Sequence, residues 1–587
     1  MNPQPPVTKM RIAARTSSAP QAALVDSPSW QDRIGTWRER LATTDWTPWL
    51  IVALGAFLRL FLLAIKPPHF DEGINGWFVD QMTKTGFYKY DPTNYHGPLH
   101  FYVLFVFLSL LGRNVWALRL PVVLASIFCV RLTFKFEPIV GRKISRLAAL
   151  AMAVSPAFVF YGRYSIHEVW LLLFSMLFIL GLLGLWKFGT SNYLWCAGMG
   201  LFGMVLTKET YIIHLGCAAL AVAVAWISHK VTPAVLHTKP ARQTWTYLQL
   251  VVVAFVGIAA LIFFYSGTFF NWSGVQGLYS TFEAWFKTGH NGNGHEKSPD
   301  YWLMLIGRYE GAIGIGLLGC LLCQFFKDIS LRYLAIYGVG TLMAYSIVSY
   351  KTPWCIISIV WPFLLIFGAL VKLAPLRFRP RDYAACGALL LALLGVALWA
   401  TFWKELDFIW PYLFLGAAAA LAVIVRYPPA IFVTLALVIC VSLGLSVRLN
   451  YFRCTTDTEP YVYVQTYNDI WKLTDPLLAL ARKNPTAYQL VGHMVRTSAY
   501  PLPWTLGDFT KIGYYEKDAL PSPIDAAFLV VQEDKIKAVE GRLQSAYYTM
   551  PFTVRPYQDT SKLYLNAKVF TKFFQGRVPD FVGKKRD

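Results

Sequence analysis

Two carboxylates stand side by side at Asp71 and Glu72, shortly after His69 and the first long apolar stretch of the chain. Like charges this close raise the pKa of one member of such a pair, and a carboxylate that titrates near neutral pH can accept a proton. The pair is therefore predicted to be catalytic, with Asp71 as a general base and Glu72 orienting it. The plainer interpretation is a solvated pair of loop acids.

Further ionisable residues stand at the ends of other apolar stretches. Such groups are costly near membrane depth and point by default to a functional site. Arg163 offers a bidentate fork to a phosphate group, and Lys208 and Lys351 offer point charges; the alternative is that each side chain extends to lipid headgroups. The predicted substrate-binding residues are His96, Arg163, His167, Glu168, Lys208, Glu209, Lys351 and Trp354.

The histidines near these positions are interpreted as hydrogen-bonding or substrate-contacting groups, and no metal ligand is predicted among them. A divalent cation is the alternative, because imidazoles and carboxylates are common metal ligands. The chain has no Walker A loop, so ATP-driven work is not indicated. The histidines concerned are His69, His96, His167, His290 and His295.

The composition is that of a membrane protein. Of the 587 residues, 56% are hydrophobic and 15% are charged, and the mean hydropathy is +0.44, whereas a typical soluble domain has about 25% charged residues. These figures exclude a disordered chain, a coiled coil, a collagen-like fibre and an ordinary cytosolic enzyme. The net charge of +21 is assigned to cytoplasmic loops and anionic lipid rather than to nucleic acid.

Apolar runs predict an α-helical polytopic membrane protein with about 13 transmembrane helices. The first run is 46–65, and a polar loop follows it to about residue 97. The run 98–112 is shorter than the roughly 20 residues that a spanning helix needs, so we expect an interfacial helix there. The remaining runs are 116–134, 145–162, 167–187, 193–207, 210–228, 246–267, 301–326, 332–349, 354–372, 383–403, 408–426 and 430–449.

The charges of the loops predict the orientation. Loops rich in Lys and Arg are cytoplasmic, and here they are 131–146, 228–244 and 372–381. They all lie inside together with the N-terminal segment only if 98–112 does not cross. The N-terminus is then cytoplasmic, and the predicted site residues lie on the extracytoplasmic side.

Three regions are expected along the chain. Residues 1–45 are interpreted as a disordered cytoplasmic tail, and 46–449 as the transmembrane domain. Residues 450–587 are polar with mixed charge, which predicts a small extracytoplasmic α/β domain. Within that domain, strands are expected at 487–491 and 527–531, and a helix near 533–546.

Several short motifs occur in an order that resembles the GT-C membrane glycosyltransferases, a class that includes protein O-mannosyltransferases and the aminoarabinose transferase of lipid A. Within this class the chain is most similar to an uncharacterised prokaryotic branch grouped with archaeal glycosylation proteins. The resemblance covers roughly residues 46–505. Its motifs are Asp71-Glu72, Gly97-Pro98-Leu99, Arg119-Leu120-Pro121, Gly141-Arg142, Ser155-Pro156, Arg163, His167-Glu168, Lys208-Glu209, Lys351-Thr352-Pro353-Trp354 and Tyr500-Pro501-Leu502-Pro503-Trp504.

The resemblance implies a glycosyltransferase of the cell (inner) membrane. Its donor would be a polyprenyl-phosphate-linked sugar, transferred with inversion to an acceptor hydroxyl on the extracytoplasmic face. Asp71 matches the acid of the first external loop that the family uses as base or acceptor ligand, and Glu168 matches an acid of the second external loop, where several relatives have Asp. Metal dependence differs between branches and does not carry over. The sugar stays open, as does the acceptor, which is a protein, a lipid or a polysaccharide.

Two other functions compete with this prediction. A lipid or solute transporter or flippase would distribute charged groups over both faces of the membrane and show repeat symmetry. A non-catalytic scaffold presenting residues 450–587 to a partner would tolerate replacement of Asp71 and Lys351. The enzyme prediction requires these two residues to converge on one pocket beside the outer leaflet.

Overall fold

A computed structural model describes residues 44–94, 96–236, 243–290, 294–373, 428–517 and 519–583, together with isolated residues between 384 and 399. The predicted tail 1–45, except for its last two residues, lies outside the described residues. The predicted run 408–426 also lies outside them, as does most of the run 383–403.

The described membrane part is helical, as its apolar runs predict. Its helices are α1 (Thr47–Leu60), α2 (Phe70–Thr85), α3 (Leu99–Leu111), α4 (Val115–Thr133), α5 (Glu137–Val140), α6 (Arg142–Val154), α7 (Pro156–Tyr161), α8 (Glu168–Phe188), α9 (Ser191–Val205), α10 (Tyr211–Val231), α11 (Tyr247–Tyr265), α12 (Ser273–His290), α13 (Tyr301–Tyr309), α14 (Gly311–Cys320), α15 (Ile329–Ile347), α16 (Ile356–Leu373) and α17 (Pro428–Val447).

Six stretches in the described part of the chain are long and apolar enough to cross a membrane: Val115–Val140, Glu168–Phe188, Tyr211–Val231, Tyr247–Tyr265, Pro353–Lys372 and Val433–Phe452. The helices α1, α3 and α14 are apolar but shorter, so they fall below the length that a straight crossing needs. Burial separates central from peripheral helices: 89% of the apolar window of Pro353–Lys372 is buried, against 11% for Tyr247–Tyr265.

Two of the predicted continuous runs are broken helices. The run 145–162 divides at Ser155 into α6 and α7, and the run 301–326 divides at Glu310 into α13 and α14. The two breaks meet in space. The buried carboxylate of Glu310 accepts hydrogen bonds from Ser155 Oγ (2.6 Å) and from the backbone N–H of Ala157 (2.7 Å). The freed backbone donor of one break is thus satisfied by the acid at the other.

The prediction of a polar loop between residues 66 and 97 is wrong, because Phe70–Thr85 forms the helix α2. A capping box starts it: His69 Nδ1 accepts from the backbone N–H of Asp71 (3.1 Å), and the Glu72 carboxylate accepts from the N–H of His69 (2.8 Å). This reciprocal capping satisfies donors that the first turn leaves free. The prediction used apolar runs, and α2 was missed because its hydropathy is low. The helix α12 was missed for the same reason.

The C-terminal part forms one mixed sheet. Its strands are β1 (Gly492–Val495), β2 (Ile512–Tyr514), β3 (Phe528–Gln532), β4 (Ala546–Phe552), β5 (Ser561–Asn566) and β6 (Phe581–Val582), and its helices are α18 (Trp471–Lys483), α19 (Leu502–Thr505), α20 (Ile536–Glu540) and α21 (Ala567–Phe570). The strand order is β2-β1-β3-β5-β4-β6. β1 pairs in parallel with β2 and β3, and the other pairs are antiparallel.

The small C-terminal domain agrees in outline with the prediction, and its details differ. The predicted strand 527–531 corresponds to β3, which is buried along its whole length because apolar clusters cover both faces of the sheet. The predicted strand 487–491 is wrong: Pro485–Gln489 is a 3-10 helix and β1 starts at Gly492. The predicted helix 533–546 is shorter, since α20 ends at Glu540.

The C-terminal domain packs directly on α2. A Cβ atom on Gly73 would lie 2.5 Å from Pro501 Cα, and one on Gly76 would lie 2.4 Å from the Trp504 ring. Only glycine permits this approach. Arg113 adds a clamp: it forms ion pairs with Asp80 of α2 (2.7 Å) and with Asp508 of the C-terminal domain (3.0 Å). The helix that carries Asp71 is therefore held from two sides.

Candidate active site

A cavity of about 720 Å³ opens among the start of α2, the starts of α8 and α16, and the C-terminal domain. It brings together residues that are far apart in sequence, and eight of the ten predicted site residues line it. These eight are Asp71, His96, His167, Glu168, Lys208, Glu209, Lys351 and Trp354. Glu72 and Arg163 are not among the lining residues.

Asp71 occupies the first turn of α2, where the free N–H groups of the helix favour negative charge. Its side chain is 33% exposed, and one carboxylate oxygen lies 3.7 Å from His69 Nδ1. His69 Nδ1 accepts the N–H of Asp71, so the ring proton is on Nε2, which donates to the carbonyl of Tyr463 (2.9 Å). The neighbouring histidine therefore cannot protonate Asp71 through Nδ1, and the carboxylate is open to the cavity.

Glu72 points away from the cavity and is fully buried. Both of its oxygens bind the guanidinium of Arg119, at 2.8 and 2.7 Å, and the N–H of Ser165 donates a further hydrogen bond (2.8 Å). Burial alone would raise the pKa of Glu72, but the charge and hydrogen bonds of Arg119 outweigh it and lower the pKa to about 2. The raised pKa expected from neighbouring carboxylates is therefore not found at Glu72.

Lys208 and the two acids beside it, Glu168 and Glu209, all have polar partners within the site. Lys208 Nζ forms an ion pair with Glu168, and it lies 3.6 Å from Cys355 Sγ. Glu209 lies 3.1 Å from His96 Nδ1. Each carboxylate here already has a partner of opposite charge or a hydrogen-bond donor, so Lys208 is less available to a phosphate than Lys351.

Two loops hold this group in place. Gly97 N–H donates to the carbonyl of Thr207 (2.9 Å), and Leu99 N–H donates to the carbonyl of Leu206 (3.1 Å). A Cβ atom on Gly97 would lie 2.2 Å from the Leu206 oxygen, so this approach also requires glycine. The positions of His96 and Lys208 are thereby fixed relative to each other.

Lys351 is buried, being 2% exposed, and forms no ion pair with any carboxylate that the structure describes. Its ammonium donates to the backbone carbonyls of Lys297 (3.1 Å) and Val348. Burial lowers the pKa of Lys351. An ammonium with a third N–H free and no counter-charge suits an incoming anion.

Arg163, predicted to bind phosphate, lies elsewhere. Its guanidinium donates to the carbonyls of Leu58 (3.0 Å), Phe61 (2.7 Å) and Leu62 (2.7 Å). These carbonyls lie at the C-terminal end of α1, where cations are favourable. The structure thus places Arg163 on a helix end and not in the cavity.

Sequence reasoning missed the cation Arg555. Arg555, from the connection between β4 and β5, lines the cavity with its guanidinium over the Phe70 ring, 3.6 Å from the centroid. His295, interpreted from the sequence as a hydrogen-bonding or substrate-contacting group, lines the cavity, and its Nδ1 lies 2.7 Å from the Tyr463 hydroxyl. No local pattern marked Arg555, because it stands in a polar segment far from every apolar run.

Three imidazoles meet at one edge of the cavity. The His167 ring lies 4.6 Å from the rings of His96 and His100, and His167 Nε2 is buried with no hydrogen-bond partner among the residues that the structure describes. His96 and His100 have HxxxH spacing. Among the described residues, no group of three His, Cys, Asp or Glu side chains is placed to hold a metal ion.

The sequence profile of a family described as "Dolichyl-phosphate-mannose-protein mannosyltransferase" matches residues 95–264. No curated protein matches the chain in a sequence comparison. Among solved structures, the chain is similar to ArnT from Cupriavidus metallidurans bound to undecaprenyl phosphate, with a TM-score of 0.57, 14% identity, and coverage of 89% of this chain and 98% of ArnT. The apo structure of ArnT gives a TM-score of 0.55, 14% identity, and coverage of 92% and 99%. The chain therefore has the fold of the GT-C membrane glycosyltransferases, and its predicted resemblance to that superfamily is confirmed.

Proposed function

We propose that this chain is a membrane glycosyltransferase that moves a sugar from a polyprenyl-phosphate donor to an acceptor hydroxyl on the extracytoplasmic face. One observation carries the proposal: Asp71 and Lys351, distant in sequence, line the same cavity. The fold supports it, since one of the ArnT structures that the chain resembles is bound to undecaprenyl phosphate.

The chemistry needs a base on one side of the sugar and a cation on the other. Asp71 accepts the proton of the acceptor hydroxyl, whose oxygen forms a bond to the anomeric carbon. The bond from that carbon to the donor phosphate breaks, and the electron pair stays on the phosphate, which leaves as polyprenyl phosphate. A single displacement of this kind inverts the anomeric configuration.

Lys351 is assigned to the donor phosphate. Its ammonium has no carboxylate partner in the part of the chain that the structure describes, and a fixed ammonium stabilises the negative charge that collects on the leaving group. Lys208 remains paired with Glu168 and sets the shape and charge of the cavity wall. His167 Nε2, which is buried and has no partner in the described parts of the chain, offers a hydrogen bond to a sugar hydroxyl.

Aromatic side chains complete the proposed sugar site. Trp354 and Trp302 line the cavity, and their ring faces suit the apolar faces of a sugar. Glu72, although not in the cavity, positions Asp71: its ion pair with Arg119 anchors the first turn of α2 to α4. It is therefore assigned a positioning role.

A transport function gains no specific support. The ionisable residues that line the cavity cluster at one end of the membrane helices, whereas a transport pathway would place them through the membrane depth. The proposed orientation follows the loop charges, with the N-terminus cytoplasmic, 13 crossings and the C-terminal domain outside.

The test combines cells and purified protein. A deletion strain should accumulate one polyprenyl-phosphate sugar in its lipid extract, and that lipid then serves as donor in assays of the purified chain. Asp71→Asn should abolish transfer while the protein stays folded in the membrane. Asp300→Asn, which changes an exposed acid outside the cavity, should leave transfer unchanged. Wild-type turnover by Asp71→Asn would remove the proposed base.

A further inference from the structure

The hairpin between β4 and β5 carries one residue of the C-terminal domain into the cavity. Backbone hydrogen bonds hold the hairpin near both ends: Tyr467 N–H donates to the carbonyl of Val554 (2.8 Å), and Glu533 N–H donates to the carbonyl of Thr560 (3.0 Å). Arg496 also donates to Gln558 Oε1 (2.7 Å). Arg555, between these anchors, is therefore presented from a fixed position.

Arg555 has unused binding capacity. Its guanidinium stacks on Phe70. Among the described residues, its buried Nε has no hydrogen-bond partner and its guanidinium forms no ion pair with a carboxylate. A stacked, planar guanidinium with free N–H groups is arranged to bind an oxyanion through two parallel hydrogen bonds. Burial lowers the pKa of Arg555, and the charge of Asp71 opposes that effect.

Two cations of the cavity wall stand apart from its carboxylates. The wall carries three carboxylates and three cations. Lys208 is paired with Glu168, whereas Lys351 and Arg555 form no ion pair with a carboxylate of the described residues. The donor phosphate accounts for one of them.

The geometry of displacement decides which ligand Arg555 meets. In a single displacement the nucleophile approaches the anomeric carbon from the face opposite to the leaving phosphate. Asp71 takes the proton of that nucleophile, so groups beside Asp71 are on the acceptor side. Arg555 stacks on Phe70, the residue immediately before Asp71, and therefore stands on that side.

We infer that Arg555 binds an oxyanion, phosphate or carboxylate, that the acceptor carries near its reacting hydroxyl, so that the C-terminal domain selects acidic acceptors. This inference rests on the proposed function, because it uses Asp71 to define the acceptor side.

The experiment measures anion binding with the donor site filled. The full-length protein, in nanodiscs of zwitterionic phosphatidylcholine, is saturated with undecaprenyl phosphate and then titrated with inorganic phosphate or with acetate, with tryptophan fluorescence as readout. Arg555→Gln should weaken oxyanion binding by roughly tenfold, as the loss of a charge-assisted pair predicts, and should leave the affinity for undecaprenyl phosphate unchanged. Lys351→Gln should weaken the binding of undecaprenyl phosphate and leave the affinity for the oxyanion unchanged.

Two further variants serve as controls. Arg555→Lys keeps the charge without the fork, so it should recover part of the oxyanion affinity. Tyr557 lies in the same hairpin and is 92% exposed. Tyr557→Phe should therefore bind the oxyanion and undecaprenyl phosphate as the wild type does. Equal oxyanion binding by wild type and Arg555→Gln, or no binding by wild type, would overturn the inference. A loss of undecaprenyl phosphate affinity in Arg555→Gln would move the residue to the donor site and overturn it too. Failure of the wild type to bind undecaprenyl phosphate would instead count against the proposed function.

Discussion

Asp71 and Glu72 are adjacent in sequence, yet the structure gives them opposite surroundings. Asp71 faces the cavity, whereas Glu72 is buried against Arg119. Burying an ion pair is costly, but removing one partner costs more, since the other charge is then left buried and alone. Two neighbouring acids thus separate into the proposed base, which is open to the cavity, and a buried anchor.

This separation predicts that Glu72→Gln destabilises the protein by about 3–5 kcal/mol, the usual result of breaking a buried pair. The ion pair of Glu72 with Arg119 stabilises the wild type fully above pH 4.5, the ordinary pKa of a glutamate. This stabilisation is lost as the pH falls toward about 2, the pKa of Glu72 in the folded protein. Thermal unfolding of wild type and Glu72→Gln between pH 7 and about pH 3 should therefore give midpoints that converge on acidification. Glu516→Gln, an exposed change, should show no such convergence, and a constant gap for Glu72→Gln would contradict the assignment.

Lys351 gives a second prediction at the scale of one residue. Lys351→Gln should raise the KM for the polyprenyl-phosphate donor by roughly tenfold, the value of one charge-assisted contact, with a small effect on the KM for the acceptor. The reason is that, among the described residues, its ammonium has no carboxylate partner from which it must be released. Steady-state kinetics with each substrate varied in turn measures both constants, and Lys511→Gln provides an exposed control. An unchanged donor KM would count against the phosphate role.

At the scale of elements, α2 connects the site to the C-terminal domain. One end of the helix carries Asp71, and its flank packs on Pro501 and Trp504 without room for a methyl group. The position of Asp71, the proposed base, therefore depends on how the C-terminal domain packs on the helix.

Gly73→Ala tests this dependence. The added Cβ would lie 2.5 Å from Pro501, so α2 must shift, at a cost of about 1–3 kcal/mol for overpacking. The rate of transfer should fall by a larger factor than the loss of stability explains. The reason is that a shift of α2 moves Asp71, the proposed base, away from the acceptor hydroxyl. Gly216→Ala is the matched control, since nothing lies within 4 Å of its added Cβ. Full transfer by Gly73→Ala, with an unfolding midpoint like that of wild type, would show that the contact is not needed.

The whole molecule shows what its sequence could and could not predict. Asp71 and Lys351 were predictable because each stands where an apolar run ends, and such positions meet at one side of a membrane. Arg163 stands at a similar position, but tertiary packing directs it to the carbonyls of α1. Arg555 and Glu310 were not predictable, since their partners come from distant segments. The helix α2 was missed because capping, and not hydropathy, specifies it.

Orientation is the last property to test at this scale. The Lys- and Arg-rich loops predict a cytoplasmic N-terminus, and an odd number of crossings then places the C-terminal domain, with Arg555 and the mouth of the cavity, outside. Alkaline phosphatase fused after Asp587 should be active and green fluorescent protein at the same point should be dark, since the former folds outside and the latter inside. Fusions after Thr232, in a loop predicted to be cytoplasmic, should give the reverse. A fluorescent fusion after Asp587 would put the cavity on the cytoplasmic face, where an extracytoplasmic acceptor could not reach Asp71.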